Sequence, residues 1–364
     1  MKLPAGFLLS GVHCGIKKQK LDLGLIYTCN GSRAVGLFTK NANPSYSVTL
    51  SKQHVGNTIR AVIVNSGNAN CYSHSGGLKD TQDIVASLAA YLGVKEKNII
   101  IASTGIIGKV LPKQKIIKSI PALVNNLTSD SDDFIQSIMT TDAFEKTASE
   151  SLSCSAGTVA ISGFAKGAGM IYPNMATMLG FILTDADLNH FVFNALCREA
   201  VAESFNSISV DGCMSTNDTV FMLSSRAVPL HGKSDVELFK KKLKAVCLKL
   251  AQDIVKDGEG ATKFVTIRVD GAKDLAQARS AAFSLANSNL FKCALHGANA
   301  NWGRIIAALG QAGIDVEENI GIKAGSLHRK NVAINVDLKK GKYGWTVYTT
   351  DLSPQYIKIN AEYS

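Results

Sequence analysis

Several features that mark common functional classes are missing from this chain of 364 residues. Aromatic residues make up only 7% of it, and they are not interleaved with basic clusters as in many nucleic-acid surfaces. No stretch approaches the ~18 consecutive apolar residues of a membrane-spanning helix. The apolar run at residues 4–9 is too short for a signal peptide. We therefore expect neither a nucleic-acid partner nor a membrane partner.

The eight cysteines form no Cys-x-x-Cys pair, and none stands beside a histidine at the spacing of metal ligands. We therefore expect no metal site, and nothing in the chain requires a cofactor. Gly167-Ala168-Gly169 lacks the G-x-G-x-x-G pattern of dinucleotide sites. Scattered cysteines fit a reducing compartment, so the expected location is the cytoplasm.

The composition is that of a globular protein with about two domains. Apolar residues make up 46% of the chain and charged residues 19%. The net charge is +10, but the densest lysine cluster, around Lys240–Lys244, alternates with leucines and valines. That spacing predicts the solvent face of an amphipathic helix rather than a binding surface for an anionic polymer.

Two apolar strands end in small polar residues. Residues 61–70 read AVIVNSGNAN, and this loop could hold a ligand or simply reverse the chain. Residues 99–108 read IIIASTGIIG, so Thr104 and Gly105 stand at a strand end. A hydroxyl and a backbone N–H there can form an oxyanion hole, although an ordinary strand-to-helix turn has the same composition.

Other segments give a coarse secondary structure. The apolar spacing of residues 81–92 predicts a helix that ends at Gly93. Residues 205–223 predict a strand, a polar turn and a second strand, and the turn contains Ser215–Asp218. This polar group is either catalytic or a turn cluster. A strand at residues 264–269 followed by a helix at 274–290 predicts a new α/β unit.

The organising stretch runs from Lys166 to Gly180, where a glycine-rich loop and a Pro-Asn turn precede an apolar strand. Thr177 stands at the mouth of that strand. A threonine there usually serves only as a β-branched strand residue. As a nucleophile it would need a base, and its own α-amino group can act as one if the chain is cut before it.

Residues 166–179 read KGAGMIYPNMATML and closely resemble the signature of the ornithine acetyltransferase family, also called the bifunctional glutamate N-acetyltransferase (ArgJ) family. Residues 64–70, 99–105, 257–264 and 301–304 resemble further segments of that family, in the same order. The fold that this resemblance implies is α/β (α+β), a DmpA/ArgJ-like αββα sandwich. It implies domains at 1–260, which is catalytic, and 261–364, a smaller α/β domain whose tail returns to the active site.

The resemblance also implies a chemistry. The chain would cleave itself between Ala176 and Thr177, into pieces of 176 and 188 residues that assemble as α2β2. Thr177 would accept acetyl from N2-acetylornithine and pass it to glutamate, with Thr104 and Gly105 as the oxyanion hole. Acetyl-CoA is a possible second donor. The implied substrate-binding residues are Thr140, Thr141, Lys166, Thr177, Glu259, Asn360 and Ser364.

One segment departs from the family pattern. Residues 143–146 read AFEK where the family usually has Pro-Lys, so the choice between Thr140 and Thr141 as the substrate contact stays open. Three functions also remain open: the acetyltransferase, an N-terminal-nucleophile amidohydrolase in which water replaces glutamate, and a binding protein without turnover. A transferase with another acceptor is a further variant.

Overall fold

The computed structural model describes residues 2–172 and 178–362. The predicted cleavage residues Ala176 and Thr177, and the predicted contact Ser364, lie outside these ranges. The described chain divides into two compact units. The first falls within Met1–Gly167, Asn174–Phe205 and Met214–Ala251, and the second within Ala168–Pro173, Asn206–Cys213 and Gln252–Ser364. Residue 260 falls inside the last of these ranges, and the predicted domain boundary there stays a prediction.

Twelve strands lie in residues 2–172 and 178–362. They are β1 (Phe7–Val12), β2 (Leu23–Phe38), β3 (Ile59–Asn68), β4 (Ile99–Ile106), β5 (Lys146–Cys154), β6 (Gly157–Lys166), β7 (Leu179–Asp187), β8 (Thr219–Pro229), β9 (Phe264–Ala272), β10 (Gly321–Ala324), β11 (Asn331–Asp337) and β12 (Tyr343–Thr350).

The same ranges contain ten α-helices. They are α1 (Tyr46–His54), α2 (Gly77–Leu92), α3 (Lys113–Asn125), α4 (Asp132–Ile138), α5 (His190–Ala202), α6 (Lys233–Lys256), α7 (Leu275–Ala286), α8 (Asn289–His296), α9 (Gly303–Gln311) and α10 (Pro354–Glu362). None of the helices in the described chain is long and apolar enough to cross a membrane.

The long strand β2 links two sheets in the first unit. Neighbouring strands follow the order β4-β3-β2-β8-β7-β6-β5, and β1 also pairs with β2. Residues 23–27 of β2 pair with β1 and β3, whereas residues 33–38 pair with β8. The register of β2 with β3 shifts between Tyr27 and Ser32, where the strand passes from one sheet to the other.

The two sheets pack face to face, and helices cover their outer faces. Val62 of the first sheet and Phe181 of the second lie in one buried cluster between the sheets. A separate cluster joins the other face of the first sheet to α2 and α3. On the second sheet, Gly163 of β6 lies against Val246 and Leu250 of α6. This order of helix, sheet, sheet and helix confirms the predicted αββα sandwich.

The second unit has its own α/β core. Its four strands follow the order β10-β11-β9-β12, in which β9 and β11 are parallel. Apolar residues of β9 and β11 alternate toward α7, α8 and α9, and they form one buried cluster with them.

Several sequence-based predictions of secondary structure are confirmed and two are wrong. Helix α2 ends at Gly93, which adopts the left-handed conformation of a helix C-cap. The first predicted strand of residues 205–223 is absent, because a 3-10 turn, Phe205–Ser207, and an irregular segment precede β8. The predicted helix at 274–290 is two helices, since α7 ends at Ala286 with Asn287 as its C-cap, and Ser288 caps the start of α8.

A close contact between β1 and α4 gives a test of the first unit. A Cβ atom added at Gly11 would overlap the backbone carbonyl of Asp133. We expect Gly11→Ala to lower the free energy of unfolding by about 1–3 kcal/mol, because the helix backbone has to move. A Cβ at Gly56 meets no atom within 4 Å. Gly56→Ala is therefore the control, and equal denaturation midpoints for both variants would contradict the packing described here.

Candidate active site

Three strand ends of the first unit come together around Lys166. This lysine is the last residue of β6, and it is paired in register with Leu179 at the start of β7. Its ammonium group donates to the hydroxyl of Thr104, at the end of β4, over 3.3 Å. Both side chains are buried. The structure thus joins one predicted substrate-binding residue to one predicted oxyanion residue.

Gly105 adopts a backbone conformation, at a crowded position, that only glycine accommodates well. Its φ is +133°, a value that side chains disfavour. A Cβ here would also overlap the backbone of Gly67, because the ends of the parallel strands β3 and β4 lie directly side by side. Glycine is therefore required at this strand end for two independent reasons, while the predicted role of Gly105 in an oxyanion hole stays a prediction.

A buried carboxylate, Asp142, organises the surroundings of Lys166. Its Oδ1 accepts from the Lys146 ammonium and from the backbone N–H of Gly167, each over 2.7 Å. Its Oδ2 accepts from the Thr140 N–H over 2.8 Å and lies 3.9 Å from Lys166 Nζ. The Asp142 and Lys146 side chains are fully buried. Asp142 therefore fixes the backbone at Thr140 and at Gly167, the residue after Lys166.

The pKa of Asp142 is shifted in the direction that its contacts with the two lysines predict. Burial alone would raise the pKa of Asp142, but Lys166 and Lys146 outweigh it and hold the pKa below its usual range. Asp142 is therefore ionised at neutral pH, and it supplies the counter-charge that two buried ammonium groups require.

A third lysine lies near this carboxylate. Lys17 donates to the carbonyl groups of Leu21 and Met139, over 2.9 and 2.6 Å. Burial lowers the pKa of Lys17 to about 8, and repulsion from Lys166 adds to the shift. The lysine stands on a loop whose N–H groups bind the carboxylate of Asp22. Three lysines here thus face two acids, Asp142 and Asp22, which leaves a small excess of positive groups.

The polar cluster at residues 215–218 belongs to the same region. The Asn217 amide donates to the carbonyl groups of Ala69 and Ser103, over 2.6 and 2.8 Å. It thereby fixes the residue before Thr104. Asp218 is fully buried, and its Oδ1 accepts from the Met178 N–H over 3.2 Å. The cluster is more than a turn, because it links the ends of three strands.

Glu259 and Asn360 are brought together within the second unit. The Asn360 side-chain amide donates to Glu259 Oε2 over 3.1 Å. Glu259 follows α6, and its backbone N–H donates to the carbonyl of Ala168 over 2.9 Å. The predicted roles of this pair in substrate binding stay predictions.

The predicted residues thus fall into three groups. Thr104, Gly105, Thr140 and Lys166 lie around Asp142 in the first unit, and Thr141 is exposed beside them. Glu259 and Asn360 form a pair in the second unit. Ala176, Thr177 and Ser364 lie outside the described residues. Within residues 2–172 and 178–362, no group of three His, Cys, Asp or Glu side chains is placed to hold a metal ion.

Sequence reasoning missed Asp142, Lys146 and Lys17 as members of this site. A signal was present for the first two, because an acid and a lysine four residues apart can form an ion pair, as they do here. Lys17 gave no local signal, because its neighbours Met139 and Lys166 are more than 100 residues away in sequence.

The ion pair at Asp142 gives a stability test with a defined pH dependence. We expect Asp142→Asn to lower the free energy of unfolding at pH 7 by about 3–5 kcal/mol, because two buried lysines lose their counter-charge. The folded-state pKa lies below the value of about 3.9 for an unfolded aspartate. The contribution is therefore complete above that pH and is lost as the pH falls through it toward the folded-state pKa.

Denaturation of both proteins between pH 3 and pH 7 checks this expectation, and the difference should narrow toward the acid end. Asp132→Asn is the control, because Asp132 is exposed in the first turn of α4. It should change stability by less than about 1 kcal/mol. A pH-independent loss in Asp142→Asn would contradict the ionised pair.

Comparison with known proteins identifies the chain. Residues 8–364 match the ArgJ family. A relative from Chlorobaculum tepidum, named arginine biosynthesis bifunctional protein ArgJ, is 41% identical over 99% of this chain and 96% of its own length. A relative of the same name from Geobacter sulfurreducens is 41% identical over 98% of both chains.

Among solved structures, the arginine biosynthesis bifunctional protein ArgJ of Bacillus halodurans is 32% identical. It covers 48% of this chain and 92% of its own, with a TM-score of 0.45. The family match over almost the whole length, together with relatives at 41% identity, confirms the resemblance seen in the sequence motifs. The chain belongs to the ArgJ family.

Proposed function

We propose that this chain transfers an acetyl group from N2-acetylornithine to glutamate, through an acetyl ester on Thr177. The observation that carries the proposal is the contact of Lys166 Nζ with Thr104 Oγ1 over 3.3 Å, at the start of the strand that follows Thr177. Two relatives at 41% identity are named for arginine biosynthesis, which supports this pathway.

The proposed nucleophile forms by cleavage between Ala176 and Thr177. The freed α-amine takes the proton of the Thr177 hydroxyl, and the oxygen attacks the acetyl carbonyl of the donor. Thr104 and Gly105 stabilise the oxyanion. The bond to the ornithine nitrogen then breaks, and that nitrogen receives the proton. Glutamate enters next, and its amine takes the acetyl group from Thr177 and restores the hydroxyl.

The charges around Lys166 support a substrate with a carboxylate. Lys17, Lys146 and Lys166 lie around Asp142, with Asp22 as a second acid beside Lys17. Both acetylornithine and glutamate carry an α-carboxylate, so one cationic subsite serves both half-reactions. This shared subsite fits ping-pong kinetics, in which the second substrate enters after the first product leaves.

The word bifunctional in the names of the relatives supports a second reaction, in which acetyl-CoA is the donor. Acetylation of glutamate with acetyl-CoA alone tests it. A separate assay with acetylornithine and no glutamate distinguishes the competing amidohydrolase reaction, because that reaction releases acetate when glutamate is absent.

We further propose that the reaction takes place in the cytoplasm without a cofactor, in an α2β2 assembly of the two cleaved chains. All eight cysteines are free thiols, which fits a reducing compartment. The mass of the native assembly in solution tests the oligomeric state.

The nucleophile is tested first. We expect the purified chain to give two polypeptides of 176 and 188 residues by intact mass, with Thr177 at the start of the second. Thr177→Ala should remain one polypeptide and should lose transfer completely, because hydroxyl and cleavage are lost together. Thr184→Ala is the control, since Thr184 is buried in β7, where its hydroxyl donates to the carbonyl of Ala160 and accepts from the N–H of Ala186. A cleaved Thr177→Ala chain would overturn the proposal.

Lys166 is tested by steady-state kinetics. We expect Lys166→Gln to raise KM for acetylornithine and for glutamate by about 10- to 100-fold, the value of one charge-assisted hydrogen bond. Lys241→Gln is the control, because Lys241 is exposed on α6. An unchanged KM for both substrates would remove Lys166 from the binding site.

A further inference from the structure

Three large apolar side chains are exposed on two loops of the first unit. Tyr72 is 75% exposed on the loop after β3, and Ile107 and Val110 are 40% and 62% exposed on the loop after β4. We call these three side chains the apolar patch. Single apolar side chains on a surface are ordinary, whereas a group of them on adjoining segments marks an interaction site.

Hydrogen bonds join the two loops to each other. The Gly108 N–H donates to the carbonyl of Cys71 over 2.9 Å. The side-chain amide of Asn68, at the end of β3, donates to the carbonyl of Val110 over 3.2 Å. The apolar patch therefore lies on two segments that are fixed together, and it is not a set of three unrelated surface positions.

The backbone of Tyr72 gives a second indication of function. Its φ is +54°, in the left-handed region, where a glycine would be less strained. The tyrosine gains little burial in return, because most of its side chain is exposed to solvent. Residues held in such conformations cluster at ligand-binding sites. Neither packing nor backbone preference thus accounts for an aromatic side chain at this position.

The apolar patch begins beside the predicted oxyanion hole. Ile107 is two residues after Gly105, so their Cα atoms are no more than about 8 Å apart. Val110 is five residues after Gly105, which places their Cα atoms within about 19 Å of each other. A ligand that has its reacting carbonyl at Thr104 and Gly105 can therefore reach the patch with an extended arm.

Lys109 adds an unpaired positive charge to the same loop. Its side chain is exposed, and it has no ion-pair partner in the part of the chain that the structure describes. By contrast, Lys113 is paired with Asp80 and Asp83 of α2. Apolar side chains combined with an unpaired cation fit a ligand that has an uncharged arm and an anionic end.

We propose that the apolar patch binds the pantetheine arm of acetyl-CoA, and that Lys109 lies toward the phosphates of the nucleotide. This inference rests on the proposed function, in which acetyl-CoA is a second donor, and it assigns that donor a binding surface. In that reaction the thioester C–S bond breaks, the acetyl group passes to the Thr177 oxygen, and the sulfur takes the proton that the hydroxyl loses. Acetylornithine has no such arm, so its transfer does not require the patch.

A second copy of the chain fits the apolar patch less well. A stable protein interface uses about 20 to 30 residues on each side, and three side chains on two loops supply far fewer. The arm of a coenzyme needs only a narrow apolar surface that begins at the reacting carbonyl. The patch has that size and that starting point.

The experiment measures both donors with a double variant, Tyr72→Ser with Val110→Ser. We expect KM for acetyl-CoA to rise about 10- to 100-fold, because two apolar contacts with the arm are lost. Both kcat and KM for acetylornithine should stay within about twofold of the native values. Phe191→Ser is the control, because Phe191 is 80% exposed on α5, and it should change neither reaction.

The charged end is tested with Lys109→Gln. S-acetylpantetheine carries the same arm and thioester without the nucleotide phosphates. We expect Lys109→Gln to raise KM for acetyl-CoA about two- to fivefold at low ionic strength, and to leave KM for S-acetylpantetheine unchanged. The effect on acetyl-CoA should fade at high salt, because exposed charges are screened.

The outcomes separate the alternatives. Native kinetics with acetyl-CoA in the double variant would overturn the inference. An equal loss with both donors, or a changed mass of the native assembly, would indicate a structural or subunit contact and would also overturn it.

Failure of the inference is distinguishable from failure of the proposed function. A native chain that transfers from acetylornithine but neither uses nor binds acetyl-CoA would overturn the inference alone. A native chain that transfers from neither donor would refute the proposed function. Calorimetric binding of coenzyme A then decides the inference, because the double variant should bind it about 10- to 100-fold more weakly than the native chain.

Discussion

The structure around Lys166 depends on one buried ion pair, between Asp142 and Lys146. A buried charge is tolerated only when it is paired and hydrogen-bonded, and both conditions are met here, since Asp142 also accepts two backbone N–H groups. Lys166 and Lys17 add positive charge that this carboxylate cannot neutralise alone. In the proposed function, a substrate carboxylate supplies part of the remaining counter-charge.

The order and direction of the strands bring the polar strand ends around Lys166 close together. Parallel pairing of β3 with β4, and of β7 with β8, puts corresponding ends of neighbouring strands side by side. Gly67 and Gly105 allow one pair of strand ends to lie in close contact. Asn217 then joins the two sets, because its amide bonds to Ala69 after β3 and to Ser103 in β4. Side-chain hydrogen bonds thus link these polar strand ends to one another.

Apolar spacing and capping residues in the sequence predicted those helices and strands whose ends are set by nearby residues. Helix α2 and its Gly93 cap follow from apolar spacing and from the freedom of glycine at positive φ. The strand expected near residue 205 does not form, and the segment keeps only an isolated bridge between Ile208 and Tyr348. Most predicted site residues came from the family resemblance and not from local patterns. Asp142 and Lys17 were missed, because they approach Lys166 only once distant parts of the chain have folded together. Periodicity carries no information on such contacts.

Two buried aspartates beside Lys166 illustrate why the fold matters more than residue type. Burial acts on both acids, but Lys166 and Lys146 hold the pKa of Asp142 below its usual range. Burial raises the pKa of Asp218, although the Met178 N–H, Lys166 and the Thr39 hydroxyl oppose that shift. Environments that separate the pKa values of two neighbouring acids also separate their roles. In this chain two acids near the same lysine therefore have pKa values that are shifted in opposite directions.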